Sequence, residues 1–254
     1  MSPTKPSHFG TRRARGTRAS PAIWSAFVIL TILTGVFPAK MEAAPAFRAP
    51  RPDQALQTLK PDHPRLMFDQ ATPGNIRKWT AADPVADRIH RSVLASAKRA
   101  LGTKPAVYEL RDGRRLLYVS SEVQQRVGAL AYAFRMTGDK AYVERAWADL
   151  HAAAGFKDWN PAHFLDTAVM TAALAIGYDW LFNDLPASER ATLRAAIVDK
   201  GIAQARNGHK TYRYDNNWNQ VCIGGMVLGA LAVQEDEPAL AQDLLAAAQK
   251  DLFS

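Results

Sequence analysis

Residues 164–182, FLDTAVMTAALAIGYDWLF, decide the fold. Wound as a helix, this run is apolar on nearly every side, so it has to be surrounded by protein rather than by water. The next stretch, residues 186–206, places Leu193, Ile197 and Ile202 on one stripe and Arg190, Arg194, Asp199 and Lys200 elsewhere, the pattern of a helix with one wet face. The pair then recurs. Residues 221–233 (VCIGGMVLGALAV) are apolar all round, with glycines that permit close packing, and residues 238–252 are amphipathic through Leu240, Leu244, Leu245 and Ala248. Inner and outer helices in strict succession predict an all-α fold, a toroid or solenoid of helical hairpins. No fixed-period repeat joins the hairpins, which favours an α/α toroid.

Toward the N-terminus the same grammar continues. Asp139 caps a helix carrying Tyr142, Val143, Ala146, Trp147 and Leu150 that ends before Gly155. Ser121-Glu122-Val123-Gln124 reads as a capping box, opening a helix with Val123, Val127, Leu130 and Phe134 on its buried face and Gly138 beyond its end. Asp83-Pro84 starts another, with Val85, Ile89, Val93, Ala97 and Ala100 on one stripe until Gly102. Residues 47–63 (FRAPRPDQALQTLKPDH) are rich in proline and charge and predict an extended lead-in that propagates no helix. Residues 64–254 then form the folded body. Roughly seven or eight helices are legible where a six-hairpin ring takes about twelve, so an incomplete toroid is expected.

With 254 residues, 48% hydrophobic and 22% charged, the chain is long and apolar enough to bury a core, which excludes disordered and collagen-like classes. Its formal net charge of +8 hints at nucleic acid, but residues 1–46 hold Lys5, Arg12, Arg13, Arg15, Arg18 and Lys40 against Glu42 alone. That segment carries +5 and leaves +3, so no nucleic-acid partner is expected. The basic stretch precedes an uncharged apolar run at 23–37 that is short for a bilayer span. Ala44-Pro45-Ala46 offers a small-any-small cleavage site, so residues 1–46 read as a signal peptide and Phe47 as the first mature residue. A periplasmic or secreted protein with no membrane association after cleavage follows. Arg12-Arg13 lacks the hydrophobic pair of a twin-arginine address, and a single-pass anchor is the alternative. A single cysteine, Cys222 within an apolar helix, rules out an intrachain disulfide and predicts an inert packing thiol.

In a ring of hairpins, polar and aromatic residues just before an inner helix line one mouth. Two such clusters occur. Lys157-Asp158-Trp159-Asn160-Pro161-Ala162-His163 precedes the first apolar helix, and Tyr212-Arg213-Tyr214-Asp215-Asn216-Asn217-Trp218-Asn219-Gln220 precedes the second. Their composition suits a sugar. Indole and phenol rings stack on pyranose faces, amides exchange hydrogen bonds with hydroxyls and carboxylates, and Lys210 and Arg213 favour an acidic polymer. Trp159, Asn160, Tyr212, Arg213, Trp218, Asn219 and Gln220 are therefore candidate substrate-binding residues. The competing view is that the asparagines cap helices and that Trp159 and Trp218 fill the gap between them. His163 could face the same cleft, and Tyr212 and Tyr214 could transfer protons beside the asparagine pair. His63, His163 and His209 are too scattered for a ligand spacing, so no metal is expected, nor any cofactor.

Together the motifs carry a resemblance: His63-Pro64-Arg65-Leu66-Met67-Phe68, the run from Trp159 to Ala168, Gly177-Tyr178-Asp179-Trp180-Leu181, and Asn216-Asn217-Trp218-Asn219-Gln220-Val221-Cys222 with Gly224-Gly225. From about Pro64 onward the chain resembles the N-terminal α/α-toroid domain of the heparinase II/III and alginate lyase group of polysaccharide lyases. The resemblance implies β-elimination of a uronic-acid polymer: a neutralised carboxylate acidifies the C5 proton, a base removes it, and an acid protonates the leaving oxygen. It gives the neutralising role to Asn217 with Asn216 beside it. Family members place a histidine after the asparagine pair; here Trp218 stands there, which leaves the base open among Tyr214, His163 and others. The family's principal tyrosine, a further histidine and a β-sandwich are expected on segments beyond Ser254.

Two alternatives stand beside the lyase. A glycoside hydrolase would need two carboxyl groups across the bond, for which Asp158 and Asp215 are the candidates. A non-catalytic fragment would bind an acidic polysaccharide or oligosaccharide without turnover. Asp166 and Asp179, set in an apolar helix, are expected to be structural ties.

Overall fold

The structure, a computed structural model, describes residues 51–206 and 217–252. Every regular element among them is helical. In chain order these are α1 (Pro52–Gln57), α2 (Thr72–Ala82), α3 (Pro84–Leu101), α4 (Leu117–Thr137), α5 (Ala141–Ala154), a 3₁₀ turn (Pro161–His163), α6 (Phe164–Leu181), α7, α8 (Asn217–Ala232) and α9 (Pro238–Leu252). Helix α7 runs through Ala187–Ala196, a π segment at Ile197–Ile202 and a last turn at Ala203–Arg206. The expected signal peptide lies outside the described residues.

Helices α4, α6 and α8 form the inner layer, with α6 between the other two. They run parallel, because contacts along them advance together. At their starts, Leu116 donates its N–H to Asp166 (2.6 Å) and the His163 and Trp218 rings meet at 4.8 Å. Further on, Gly177 of α6 lies against Val127 of α4, while Ala168 and Thr171 of α6 lie against Gly225 and Gly229 of α8. A Cβ at Gly225 would stand 2.3 Å from the Ala168 carbonyl oxygen, so only glycine lets these two backbones approach this closely. Parallel helices bring their N-terminal ends to one rim, and there the side chains of the candidate site collect. Helices α3, α5, α7 and α9 pack outside them, with Leu193, Ile197 and Ile202 of α7 buried as the pattern required.

The opposite end is tied by buried charge. His63 stacks on Phe182 (4.0 Å) and is sandwiched by carboxylates, with Nδ1 2.6 Å from Asp179 Oδ1 and Nε2 2.8 Å from Glu235 Oε1. Asp179 also accepts the backbone N–H groups of Arg65 and Leu66, and Arg65 reaches Glu235 and the α8 carbonyls of Leu231 and Ala232. Burial alone would lower the imidazole pKa, but its hydrogen bonds to the Asp179 and Glu235 carboxylates outweigh that and raise it. Burial likewise opposes ionisation of Glu235, yet His63 and Arg65 hold its carboxyl down at about 2. Asp179 thus fastens the segment before α2 to the C-terminal ends of α6 and α8.

Three boundaries and one buried stripe differ from the sequence expectation. Residues 47–63 are not extended throughout, because Pro52 opens α1: proline is a poor interior residue but a good first one, and Gln54 Oε1 accepts the Arg51 N–H. Helix α4 starts at Leu117 rather than at Ser121, since its end is held from outside by Asp166, a tertiary contact with no local signature. Helix α8 begins at Asn217, so Asn217 to Gln220 form its first turn instead of a loop. On α3 only the C-terminal half packs: Ala97 and Ala100 are buried, while Val85 and Ile89 are exposed. The caps at Asp83, which accepts from the Val85 N–H, and at left-handed Gly138 are as expected.

Candidate functional site

Three chain segments converge on the rim at the N-terminal ends of α4, α6 and α8. The turn 158–163 is set by Asn160, whose backbone takes a left-handed φ of 56°, and by Asp158, which accepts the Asn160 N–H at 2.9 Å. Asparagine tolerates that φ better than most residues, which explains its place here. Its side-chain amide donates to the Arg114 carbonyl (2.8 Å) and to Asp166 Oδ2 (2.7 Å). Both amide protons are therefore spent on the protein, and the expectation that Asn160 donates to a sugar is corrected: it braces the site.

Trp159 is also corrected. Its ring is fully buried, its indole N–H donates to Ala153 O at 2.9 Å, and its carbonyl accepts from Thr167. It seals the junction of α5 and α6 and presents no face to a ligand. A sequence cannot distinguish a tryptophan that covers a helix start from one that stacks on a sugar, and here core packing prevails.

His163 is brought to the cleft. Its Nδ1 lies 2.6 Å from Asp166 Oδ1, its ring meets the edge of Trp218, and its side chain is 21% exposed. It lines a cleft of about 620 Å³ together with Asp112, Arg114, Arg115 and Ala162. Asp166 is wholly buried, accepts from the Leu116 N–H and the Asn160 amide, and pairs with His163 Nδ1. The two polar clusters thus meet through His163 and Trp218, though not through Trp159. Asn217 and Gln220 are exposed on the first turn of α8, with Trp218 and Asn219 half-buried between them. Tyr212, Arg213, Tyr214 and Asn216 lie outside the described residues, as do His209, Lys210 and Asp215.

The third wall is one that the sequence reading did not single out, the turn Asp112-Gly113-Arg114-Arg115 just before α4. Asp112 accepts the N–H groups of Arg114 (3.1 Å) and Arg115 (2.8 Å) and pairs with the Arg115 guanidinium; these contacts hold its carboxyl down at about 2. Arg115 lies over the Tyr118 ring at 5.7 Å. Arg114 has no ion pair among the described residues, which leaves its guanidinium for an anion. The signal was available: this turn stands before an inner helix as the other two clusters do, but it was hidden by starting α4 at Ser121.

Other ionisable groups nearby are engaged. Burial and the hydrogen bond to Asp158 (2.9 Å) push the Tyr108 phenol up to about 12, so it stays protonated near neutrality with its hydrogen committed to Asp158. Asp158, with two donors of its own, is correspondingly occupied. Among the described residues no group of three His, Cys, Asp or Glu side chains is disposed to hold a metal, and no helix is long and apolar enough to cross a membrane.

No model of a known protein family matches the chain, and no curated protein matches it.

Proposed function

We propose that this chain carries a polysaccharide-lyase-type domain acting by β-elimination on a uronic-acid polymer, built on an α/α toroid whose mouth is the rim formed by α4, α6 and α8. The observation that carries this reading is His163, joined to buried Asp166 and to the Trp218 ring, lining a cleft together with Arg114. Together these residues supply a proton-transfer group, an aromatic edge and a cation suited to an acidic sugar. The resemblance of the motifs noted above adds the reaction class.

In this proposal Asn217 donates its amide to the substrate carboxylate and so acidifies the C5 proton without adding negative charge. His163 accepts that proton through Nε2. The C5–H electrons form the C4=C5 double bond as the C4–O bond breaks, and the leaving oxygen takes a proton from an acid, the role proposed for Tyr214. Arg114 holds a carboxylate or sulfate of the bound chain. The basic and apolar segment at 1–46 supports export to the periplasm or beyond.

The test is direct. Alginate, heparan-type and other uronate polymers are incubated with the full chain, and the ultraviolet absorbance of an unsaturated uronate is followed. The proposal expects the chromophore with at least one polymer and its loss in His163→Ala and Asn217→Ala. New reducing ends without the chromophore would establish hydrolysis instead, and binding without turnover a carbohydrate-binding role.

A further inference from the structure

We infer that Asp166 is a positioning residue that fixes the tautomer of His163, so that Nε2 enters the cleft as a proton acceptor. This rests on the reading of His163 as the base but can be tested apart from it. The geometry dictates the proton's place. An ionised carboxylate only accepts, and Asp166 Oδ1 faces His163 Nδ1 at 2.6 Å, so Nδ1 carries the hydrogen. In the neutral ring Nε2 then holds a lone pair. That nitrogen has no hydrogen-bond partner among the described residues, and the residue lines the cleft.

The other half of the carboxylate explains why the arrangement is rigid. Oδ2 accepts from Leu116 N at 2.6 Å and from Asn160 Nδ2 at 2.7 Å, and Asn160 Nδ2 also holds the Arg114 carbonyl. One buried group therefore registers the Arg114 turn, the 158–163 turn and α6 on one another. It also fixes which end of its own side chain points where. An asparagine in its place must turn its carbonyl oxygen toward Leu116 and Asn160, since both are donors. Its amide nitrogen then faces His163 and donates to Nδ1. The imidazole proton is forced to Nε2, and the ring presents a donor to the cleft in place of an acceptor.

The experiment compares the full chain with Asp166→Asn by ¹⁵N NMR of labelled histidine and by steady-state kinetics across pH on whichever uronate polymer yields chromophore. In the unsubstituted protein His163 is expected as the Nδ1–H tautomer, a result that needs no variant to fold. In Asp166→Asn the helical circular dichroism persists, the proton moves to Nε2, and kcat falls by about 100-fold or more with little change in KM. His163→Ala loses as much, and the double variant loses no more, as expected of residues acting as one unit. A purely structural Asp166 would leave the tautomer and the shape of the pH profile unmoved. An Nε2–H tautomer in the unsubstituted protein, or an unchanged tautomer in Asp166→Asn, overturns the inference. Absence of chromophore from the unsubstituted protein refutes the lyase reading, while the NMR result still decides the placement of the proton.

Discussion

Two adjacent glycines on α8 provide a test of the inner-layer packing with opposite signs at neighbouring positions. A Cβ at Gly225 would lie 2.3 Å from Ala168 O, 2.8 Å from its carbonyl carbon and 3.0 Å from its Cα, all backbone. A relaxed carbon–oxygen contact is about 3.3–3.6 Å, so Gly225→Ala forces α6 and α8 apart by roughly 1 Å. No rotamer change relieves it, which puts the cost near the upper end of overpacking, about 3 kcal/mol. Alanine recovers about 1 kcal/mol of helix propensity, leaving a net loss of about 2 kcal/mol. At Gly224 nothing lies within 4 Å of the added carbon. Gly224→Ala should therefore stabilise, by about 0.5–1 kcal/mol. Urea unfolding followed by circular dichroism, at unchanged m-value, measures both. If Gly225→Ala proves neutral or gains as Gly224→Ala does, the close packing of α6 against α8 is refuted.

Three further outcomes are expected. Asp166→Ala strands the Leu116, Asn160 and His163 donors and should cost about 3–5 kcal/mol in urea unfolding; a loss under about 1 kcal/mol contradicts the buried network. Trp159→Ala should lower stability by about 3–5 kcal/mol as a core truncation, whereas Trp218→Ala should weaken uronate binding with a much smaller loss, and the reverse pattern would restore Trp159 to the site. The His63 network should also shape stability against pH. The raised His63 pKa contributes fully below the ordinary value of 6.5 and is lost as pH rises through the raised one; the lowered Glu235 pKa contributes above 4.5 and is lost as pH falls toward about 2. The contribution of these two groups is thus largest between pH 4.5 and 6.5, and Glu235→Gln should shrink the acid limb, which Asp112 also shares; an acid limb unchanged by Glu235→Gln would contradict the hold of His63 and Arg65 on Glu235.

Much of the helical layout is legible in the sequence, for a definite reason. Helix α6 is interior, as a run with no polar face requires, and amphipathic helices lie outside it. Helix α8 packs one side on α6 but leaves Asn217, Gln220, Val221 and Gly224 exposed, so it is not enclosed on every side as its apolar run predicted. Caps whose hydrogen bonds are local, such as Asp83, can be read from the sequence as well. What escapes is set by contacts distant in the chain. The start of α4 depends on Asp166, fifty residues away, so a local capping box at Ser121 misplaced it and hid the Arg114 turn. Trp159 and Asn160 have the composition of a sugar site and are consumed by the scaffold, Trp159 by burial and Asn160 by its two donors. His163 lines the cleft, and of its two ring nitrogens only Nδ1 is held, by Asp166.

The central claim is that an acidic sugar lodges where the three inner helices begin. Titrating a uronate trisaccharide into the ¹⁵N-labelled full chain tests it most directly. The account predicts that, among the described residues, amide shifts move at 112–118, 160–166 and 217–220. Shifts confined to the other end, around His63 and Glu235, or no saturable shifts with any uronate oligosaccharide, would contradict it.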